Sequence, residues 1–428
     1  MSNLVTKQYL KESTDSTGLR YAARELQLPE VYAKSYGNLQ LDRPLFVPEP
    51  EIAAFGADLA QIFDILTTLP DRLCGGDLRR YCAQLGMDES LAELACRGAD
   101  GKPPLYARAD AYHDGTSFKL LELNVGSELG GIDTAQLNRA FLAVPAFADF
   151  AERHGLGHVD TVERLATTLR QVAASDEPVV ALIESTDGLA AHQHVFVAIQ
   201  EAMRANGIAL LLGEIQELGE RNGKITLRGT PLDVVLRYFV AGELIDDPAA
   251  QQQLDLLLKA KKTVLFTPLD GAVYASKGSL AMLHDPTVSK TFSAQEKAVV
   301  ERVVPWTRLV KDDLFDQCRA EREDLVLKPG VGYGGVGTVV GHAVTDDQWA
   351  QALRRTGDHV VQRRVRPRGE PVLNAATGIV EEWVANWGVF VDSAGYAGGF
   401  VRALKPADGA VVSYSNSGTR GTCVFTTR

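Results

Sequence analysis

Several things are scarce in this sequence, and each absence narrows the possibilities. The five cysteines (Cys74, Cys82, Cys96, Cys318 and Cys423) are odd in number and scattered, with no C-x-x-C pair. That excludes a disulfide framework and a cysteine zinc site, and predicts free thiols in a reducing cytoplasm. No block of lysine and arginine occurs, and the formal charge of −11 argues against nucleic acid as a partner. No apolar run approaches the length of a membrane span, and Met1-Ser-Asn-Leu-Val-Thr-Lys7 lacks a signal-peptide core. There is no internal repeat and no low-complexity segment. What remains is a 428-residue chain, 45% hydrophobic and 23% charged, with the composition of a soluble globular protein of two or three domains.

Glycine, by contrast, is concentrated. Gly330, Gly332, Gly334, Gly335 and Gly337 fall between the apolar run Leu325–Leu327 and the β-branched run Thr338–Val340. This reads as strand, loop, strand, with a tip of nearly bare backbone. Such backbone lets N–H groups approach phosphate oxygens that a Cβ would hold off, and Lys328 adds a positive charge beside it. Gly332 to Gly337 also fits G-x-G-x-x-G, but that dinucleotide pattern requires a helix next. Thr-Val-Val-Gly is a poor helix start, so the Rossmann reading is rejected. A phosphate-covering hairpin is expected, with an ordinary glycine-rich loop as the alternative.

A second hairpin is predicted from Leu105–Tyr112, a turn at His113–Gly115, and Ser117–Asn124. Side chains repeat every second residue on a strand, so Glu122 and Asn124 share a face, as do Arg108 and Asp110. Two acids and an amide oxygen converging in a sheet suit a hard cation such as Mg²⁺; a solvated outer face would carry the same residues. Elsewhere the chain reads as α/β. Residues 1–104 form a mainly helical N-terminal region, 105–158 the metal-binding strands, 159–270 a small open α/β domain, and 271–428 the segment holding the glycine hairpin. In 159–270 the strands expected are Pro178–Ile183, Ile208–Leu212, Lys224–Arg228 and Val234–Phe239. His192-Gln-His194 reads as a surface pair rather than a metal site. Lys277 falls at a helix entry, where an anion is also attracted, or is a plain surface lysine. His359–Val365, Glu381–Val391 and Tyr396–Leu404 are further strands, and Arg402 alternates onto a definite face of the last.

The order of these pieces resembles the ATP-grasp superfamily, in the branch of rearranged domain order that includes glutathionylspermidine synthetase and eukaryotic glutathione synthetase. Arg108-Ala-Asp110 looks like the family's R-x-D, Glu122-Leu-Asn124 like its E-x-N, and Gly130-Gly131 like the glycine pair that follows. Lys277 with its helix, and Lys328 with the glycine loop, are similar to the two phosphate-holding lysines and the flap. Val360-Val-Gln362-Arg-Arg-Val365 looks like the hinge that meets adenine, and Arg402 stands where the family has a late phosphate-contacting arginine.

The resemblance implies an α/β ATP-grasp fold in permuted order and an ATP-dependent carboxylate–amine ligase acting through an acyl phosphate. It implies ATP held by Lys277, Lys328, Gly332, Gly334, Gly335, Gly337 and Gln362, Mg²⁺ on Asp110, Glu122 and Asn124, and Arg108 and Arg402 as catalytic arginines. Ser127 would touch substrate. The partners implied are small carboxylate and amine substrates. Two departures stand out. Arg363 and Arg364 occupy a hinge where many relatives place an acid, and the glycine loop has no glutamate. No Cys/His arrangement suited to an amidase domain precedes them. A phosphotransferase on the same fold and a non-catalytic ATP-binding module remain as alternatives.

Overall fold

A seven-stranded sheet carries most of the molecule. Its strands run in the order β1 (Leu45–Pro48), β18 (Arg420–Thr427), β17 (Gly395–Leu404), β16 (Val380–Asp392), β2 (Tyr106–His113) and β3 (Phe118–Val125), with β15 (Gly369–Leu373) pairing the first half of β16. The computed structural model describes residues 4–28, 30, 39–191, 193–332, 334–354 and 359–428. His192, the side chain of His194 and Tyr333 lie outside the described residues.

The second half of β16, Asn386–Asp392, is buried at every position, as expected for a strand covered on both faces. One cover is the helix Glu49–Cys74, which packs on β16 and β17. Its buried positions, including Ile52, Phe55, Leu59, Ile62, Phe63, Leu66 and Leu69, recur every three to four residues, so they form one face. Phe55 stacks on Phe118 at 5.1 Å between ring centroids, and Phe118 meets Trp387 edge-on at 5.3 Å. Gly75 ends the helix at φ 63°, a left-handed cap that a side chain would strain. The helix is long and apolar enough to cross a membrane by length and composition, contrary to the sequence reading, and half of its apolar window is buried inside the fold. Counted along the chain, its Asp and Glu residues break the run; folded into a helix, they lie outside the buried stripe, with Glu51 reaching His113 on β2.

The region before residue 104, expected to be mainly helical, also contributes β1. This strand pairs in parallel with β18, Leu45 opposite Val424. Four residues ending in proline are too few to show a period.

The second sheet is parallel, in the order β10 (Val264–Phe266), β9 (Val234–Arg237), β4 (Val180–Glu184) and β5 (Leu210–Glu214). The expectation that Lys224–Arg228 joins it is corrected. Residues Lys224–Leu227 (β7) instead pair antiparallel with β6 (Leu218–Arg221) and β8 (Thr230–Pro231). The cause is Asn222-Gly223, both at positive φ (57° and 81°), the signature of a tight hairpin turn between β6 and β7. The edge of the parallel sheet is taken by β10, which lay unassigned in the sequence.

The third sheet is antiparallel: β11 (Thr307–Leu309), β14 (His359–Arg363), β12 (Leu325–Pro329) and β13 (Val339–Val340). Trp349 fills its core against Leu325, Leu327, Leu353 and Val361, and its indole N–H donates to the Cys318 carbonyl at 2.9 Å. The glycine segment joins β12 to β13, Leu327 opposite Val339, so the element that comes directly after the glycines is a strand.

One ionic chain ties the N-terminal part to the central sheet. Arg43 is 1% exposed and reaches Glu370 at 3.2 Å, whose other oxygen accepts from Arg368 at 2.9 Å. Removing one member of a buried pair leaves an uncompensated charge, which costs about 3–5 kcal/mol. Glu370→Ala is therefore expected to lower the urea midpoint by that amount of stability, while the conservative Arg43→Lys loses less.

Candidate functional site

A cavity of about 520 Å³ lies between the central sheet and the antiparallel β11–β14 sheet. The floor is set by strand alternation. Arg108, Asp110 and Tyr112 on β2, Glu122 and Asn124 on β3, Val384 and Asn386 on β16, and Arg402 on β17 all line it. Register places Arg108 opposite Asn124, Asp110 opposite Glu122, and Asn386 opposite Arg402. Side chains at paired positions share a face, so three strand pairings gather these groups from distant parts of the chain.

Asp110, 4% exposed, sits between two guanidiniums: Arg108 Nε donates to Oδ1 at 2.9 Å and an Arg402 terminal nitrogen donates to Oδ2. Burial alone would raise its pKa; the two arginines outweigh that and hold the carboxyl well below the usual carboxylate range. Arg108 also donates to the Gly130 carbonyl at 2.7 Å, fixing the glycine pair. Glu122 Oε2 pairs with Lys277 Nζ at 3.2 Å. Lys277 begins the helix Lys277–Met282, capped by the Ser276 side chain, and donates to the Gly332 carbonyl at 3.0 Å, while its own N–H reaches the Gly330 carbonyl at 2.9 Å. The helix thereby grips the glycine segment at two points.

Lys328, on β12, donates to Gln362 Oε1 at 2.7 Å and to the Leu121 carbonyl at 3.2 Å. Gln362 on β14 is 3% exposed and also donates to Leu121 and Thr307, so it orients Lys328 from within the sheet. Above the floor hang Gly332, Gly334 and Gly335; Gly330 and Gly337 do not line the cavity. Gly334 and Gly335 have φ of 64° and 76°, and a Cβ on Gly335 would come 2.9 Å from Val411. The chain there needs glycine both for conformation and for space.

Two contributors escaped the sequence reading. Asn386 lines the floor with its Oδ1 buried and without a hydrogen bond, and Arg402 Nε beside it is likewise unpaired. The sole sequence signal was an amide alternating onto the arginine's face. The tail loop 406–412 closes one side of the cavity, and Ser413 Oγ donates to the Gly334 carbonyl at 2.8 Å, joining the loop to the flap. Arg363 and Arg364 do line the cavity, at its β14 end.

Ser127 is not brought to this surface. It is 1% exposed, and its hydroxyl donates toward the Arg237 and Phe266 carbonyls at 2.6 and 3.0 Å and accepts from Thr267 N–H. A loop rich in backbone donors predicts contact with a ligand, but here the hydroxyl turns inward to satisfy the parallel sheet.

Among the described residues no cluster of three His, Cys, Asp or Glu side chains forms a metal site. The oxygens left open are Glu122 Oε1 and Asn124 Oδ1, since Asn124 spends its amide nitrogen on the Arg108 carbonyl at 3.2 Å. One carboxylate and one amide oxygen fit a cation such as Mg²⁺ that takes most of its ligands from phosphate and water. Asp110 joins them only by releasing an arginine.

Burial lowers the Lys328 pKa from 10.5 to about 8; Glu122 opposes this and Lys277 reinforces it. The shift has a sign that can be tested. Folding shifts Lys328 toward its neutral form, so its charge opposes folding below about pH 8 and ceases to do so as pH rises toward 10.5. A bound polyphosphate reverses the preference. Calorimetry of ATP binding at pH 8.5 in buffers of different ionisation enthalpy is expected to show proton uptake, abolished in Lys328→Arg. Equal heats in all buffers for the unsubstituted protein would contradict the expectation that Lys328 meets a phosphate.

No protein-family model matches the sequence, and no curated protein matches it. Solved structures do match. A protein from Methylobacillus flagellatus KT, provisionally named a gamma-glutamylcysteine synthetase, superposes over 89% of each chain at 12% identity with a TM-score of 0.47. A glutathione synthetase-like effector from Globodera pallida, in its apo form, superposes over 98% of this chain and 96% of its own, at 12% identity with a TM-score of 0.59. At that identity the second likeness establishes the fold alone: this chain shares the mixed α/β architecture of that protein over nearly its whole length.

Proposed function

We propose that the chain is an ATP-dependent carboxylate–amine ligase of the ATP-grasp type, with its acidic strands ahead of its glycine hairpin in permuted order. The observation that carries this reading is the make-up of the cavity. Six cationic side chains (Arg108, Lys277, Lys328, Arg363, Arg364 and Arg402) and a glycine flap surround open carboxylate and amide oxygens between two sheets. A triphosphate needs that combination: fixed positive charge, backbone donors and a seat for a hard cation. Segments 105–158 and 271–428 would form the nucleotide half, with 159–270 as the smaller partner. The five cysteines are free, which accords with a cytoplasmic setting.

In this reading ATP lies between the sheets with its phosphates over β2 and β3. Lys328 and Lys277 neutralise phosphate oxygens, and each exchanges a present partner, Gln362 or Glu122, for the nucleotide. Mg²⁺ held by Glu122 and Asn124 would supply further charge neutralisation at the phosphates. Arg108 aligns the substrate carboxylate, whose oxygen attacks the γ-phosphorus; the bond from that phosphorus to the β–γ bridging oxygen breaks, giving acyl phosphate and ADP. An amine then attacks the acyl carbon and phosphate leaves, with the amine proton lost to solvent. The protein supplies no nucleophile. Its contribution is alignment, charge and the exclusion of water by the flap and tail loop.

A hydroxylamine trap tests this reading. Protein with Mg²⁺-ATP, hydroxylamine and pools of amino acids and small acids is expected to give ADP and a hydroxamate in equal amounts. Lys277→Met and Lys328→Met each remove a charge from the transferring phosphate and are expected to lower kcat/KM by about 10²–10³-fold. ADP with a phosphorylated alcohol and no hydroxamate would replace the ligase by a phosphotransferase. ATP binding without turnover in every pool would leave a nucleotide-binding module.

A further inference from the structure

A second cavity, of about 290 Å³, adjoins the first. Arg108, Asn124, Lys277 and Gly332 line both, so the two spaces meet at the residues assigned above to phosphate and carboxylate. The second lies beyond the carboxyl ends of β9 and β10, since Arg237 ends β9 and Val240, Ala241 and Leu269 follow those strands. In open parallel sheets that is where ligands bind.

Its walls are mostly apolar: Leu91, Leu129, Val240, Ala241, Leu269 and Ala272. Two charged groups lie apart from the shared seam, and only one is available. Arg237 is 1% exposed and already donates to the Thr267 carbonyl at 2.8 Å, to the Phe239 carbonyl and to Glu128 Oε2 at 2.6 Å. Glu128 keeps Oε1 uncommitted, and at the seam Arg108 keeps one terminal nitrogen uncommitted, its Nε and other terminal nitrogen going to Asp110 and Gly130. The space therefore presents Arg108, Lys277 and Asn124 at its mouth, one open carboxylate oxygen on Glu128, and mostly apolar groups elsewhere. Its size is at the floor of the ~300–1,000 Å³ typical of ligand pockets, which admits a single amino acid rather than a long peptide. A charged side chain pressed against these walls would lose its hydration with nothing in exchange.

We infer that this cavity takes the acid to be activated, and that the acid is a single α-amino acid with an apolar side chain. Its carboxylate faces Arg108 and the first cavity, its ammonium faces Glu128, and its side chain lies on Leu129, Val240 and Leu269. The inference rests on the ligase reading for the fate of the carboxylate, but binding itself is independent of turnover.

The test uses the full chain with Mg²⁺ and a non-hydrolysable ATP analogue, titrated calorimetrically with single amino acids. L-leucine is expected to bind saturably and L-aspartate and L-lysine at least tenfold more weakly. 4-Methylpentanoate, which is leucine without its ammonium, is also expected to lose at least tenfold. Val240→Lys places a charge in the cavity from a half-buried loop position; it is expected to abolish leucine binding while leaving the analogue's affinity within twofold. Ala272→Met narrows the cavity and is expected to shift preference from leucine to alanine. Charged amino acids binding as well as leucine, or leucine binding unchanged in Val240→Lys, would overturn the assignment. Hydroxamate formed from another acid, with no leucine binding, would overturn it while sparing the ligase. Val240-dependent leucine binding without ADP or hydroxamate would support the pocket and remove the ligase.

Discussion

The carboxylate of Asp110 between Arg108 and Arg402 is the interaction on which the rest of the site hangs. It joins β2 to β17 across the intervening β16, in the centre of the seven-stranded sheet. Two guanidiniums that close would repel each other and would be costly to bury; one acid with two oxygens lets both be buried at once. The two ends of the triad then face different tasks. Arg108 anchors the Gly130 carbonyl and looks toward both cavities, while Arg402 leaves its Nε beside the unpaired oxygen of Asn386. The triad is satisfied at its core and unsatisfied at its rim, which suits a surface meant to receive a charged ligand.

Legibility followed the physics of each element. Arg108 with Asp110, and Glu122 with Asn124, could each be placed on a shared face because strand side chains alternate; that the two pairs meet depends on the bulge between Asp110 and Ala111, which no alternation announces. Lys328 and the glycines stood out because a bare-backbone tip has few structural uses. Lys277 was visible only as a helix entry; that its helix grips Gly330 and Gly332 depends on a contact more than fifty residues away, which no local pattern contains. Asn386 was invisible for a related reason. A single asparagine in Trp-Val-Ala-Asn-Trp announces nothing until β16 is seen to place it opposite Arg402.

The misreadings were equally physical. Lys224–Leu227 has the alternation of a strand, and it is one, but the Asn222-Gly223 turn ties it to β6 before it can reach the parallel sheet. Ser127 lay in a loop expected to face a ligand, yet the carbonyls of Arg237 and Phe266 needed its hydroxyl. The apolar spacing of the Glu49–Cys74 helix was legible, but its full apolar length was not, because Asp and Glu residues interrupt the run along the chain. In each case a local pattern was right about type and silent about direction.

The pairing of β1 with β18 bears on how the molecule comes to exist. The two strands are separated by nearly the whole chain, yet lie side by side at one edge of the central sheet. On a ribosome, residues 45–48 emerge long before residues 420–427 do, so β1 must wait with its backbone groups unpaired. Arg402 likewise reaches Asp110 only late in synthesis. Contacts of such sequence separation slow folding, because long loops must close before any reward is gained. The nascent chain would thus pass most of its synthesis without the Arg402 side of the cavity, which would be completed only as the last strands settle.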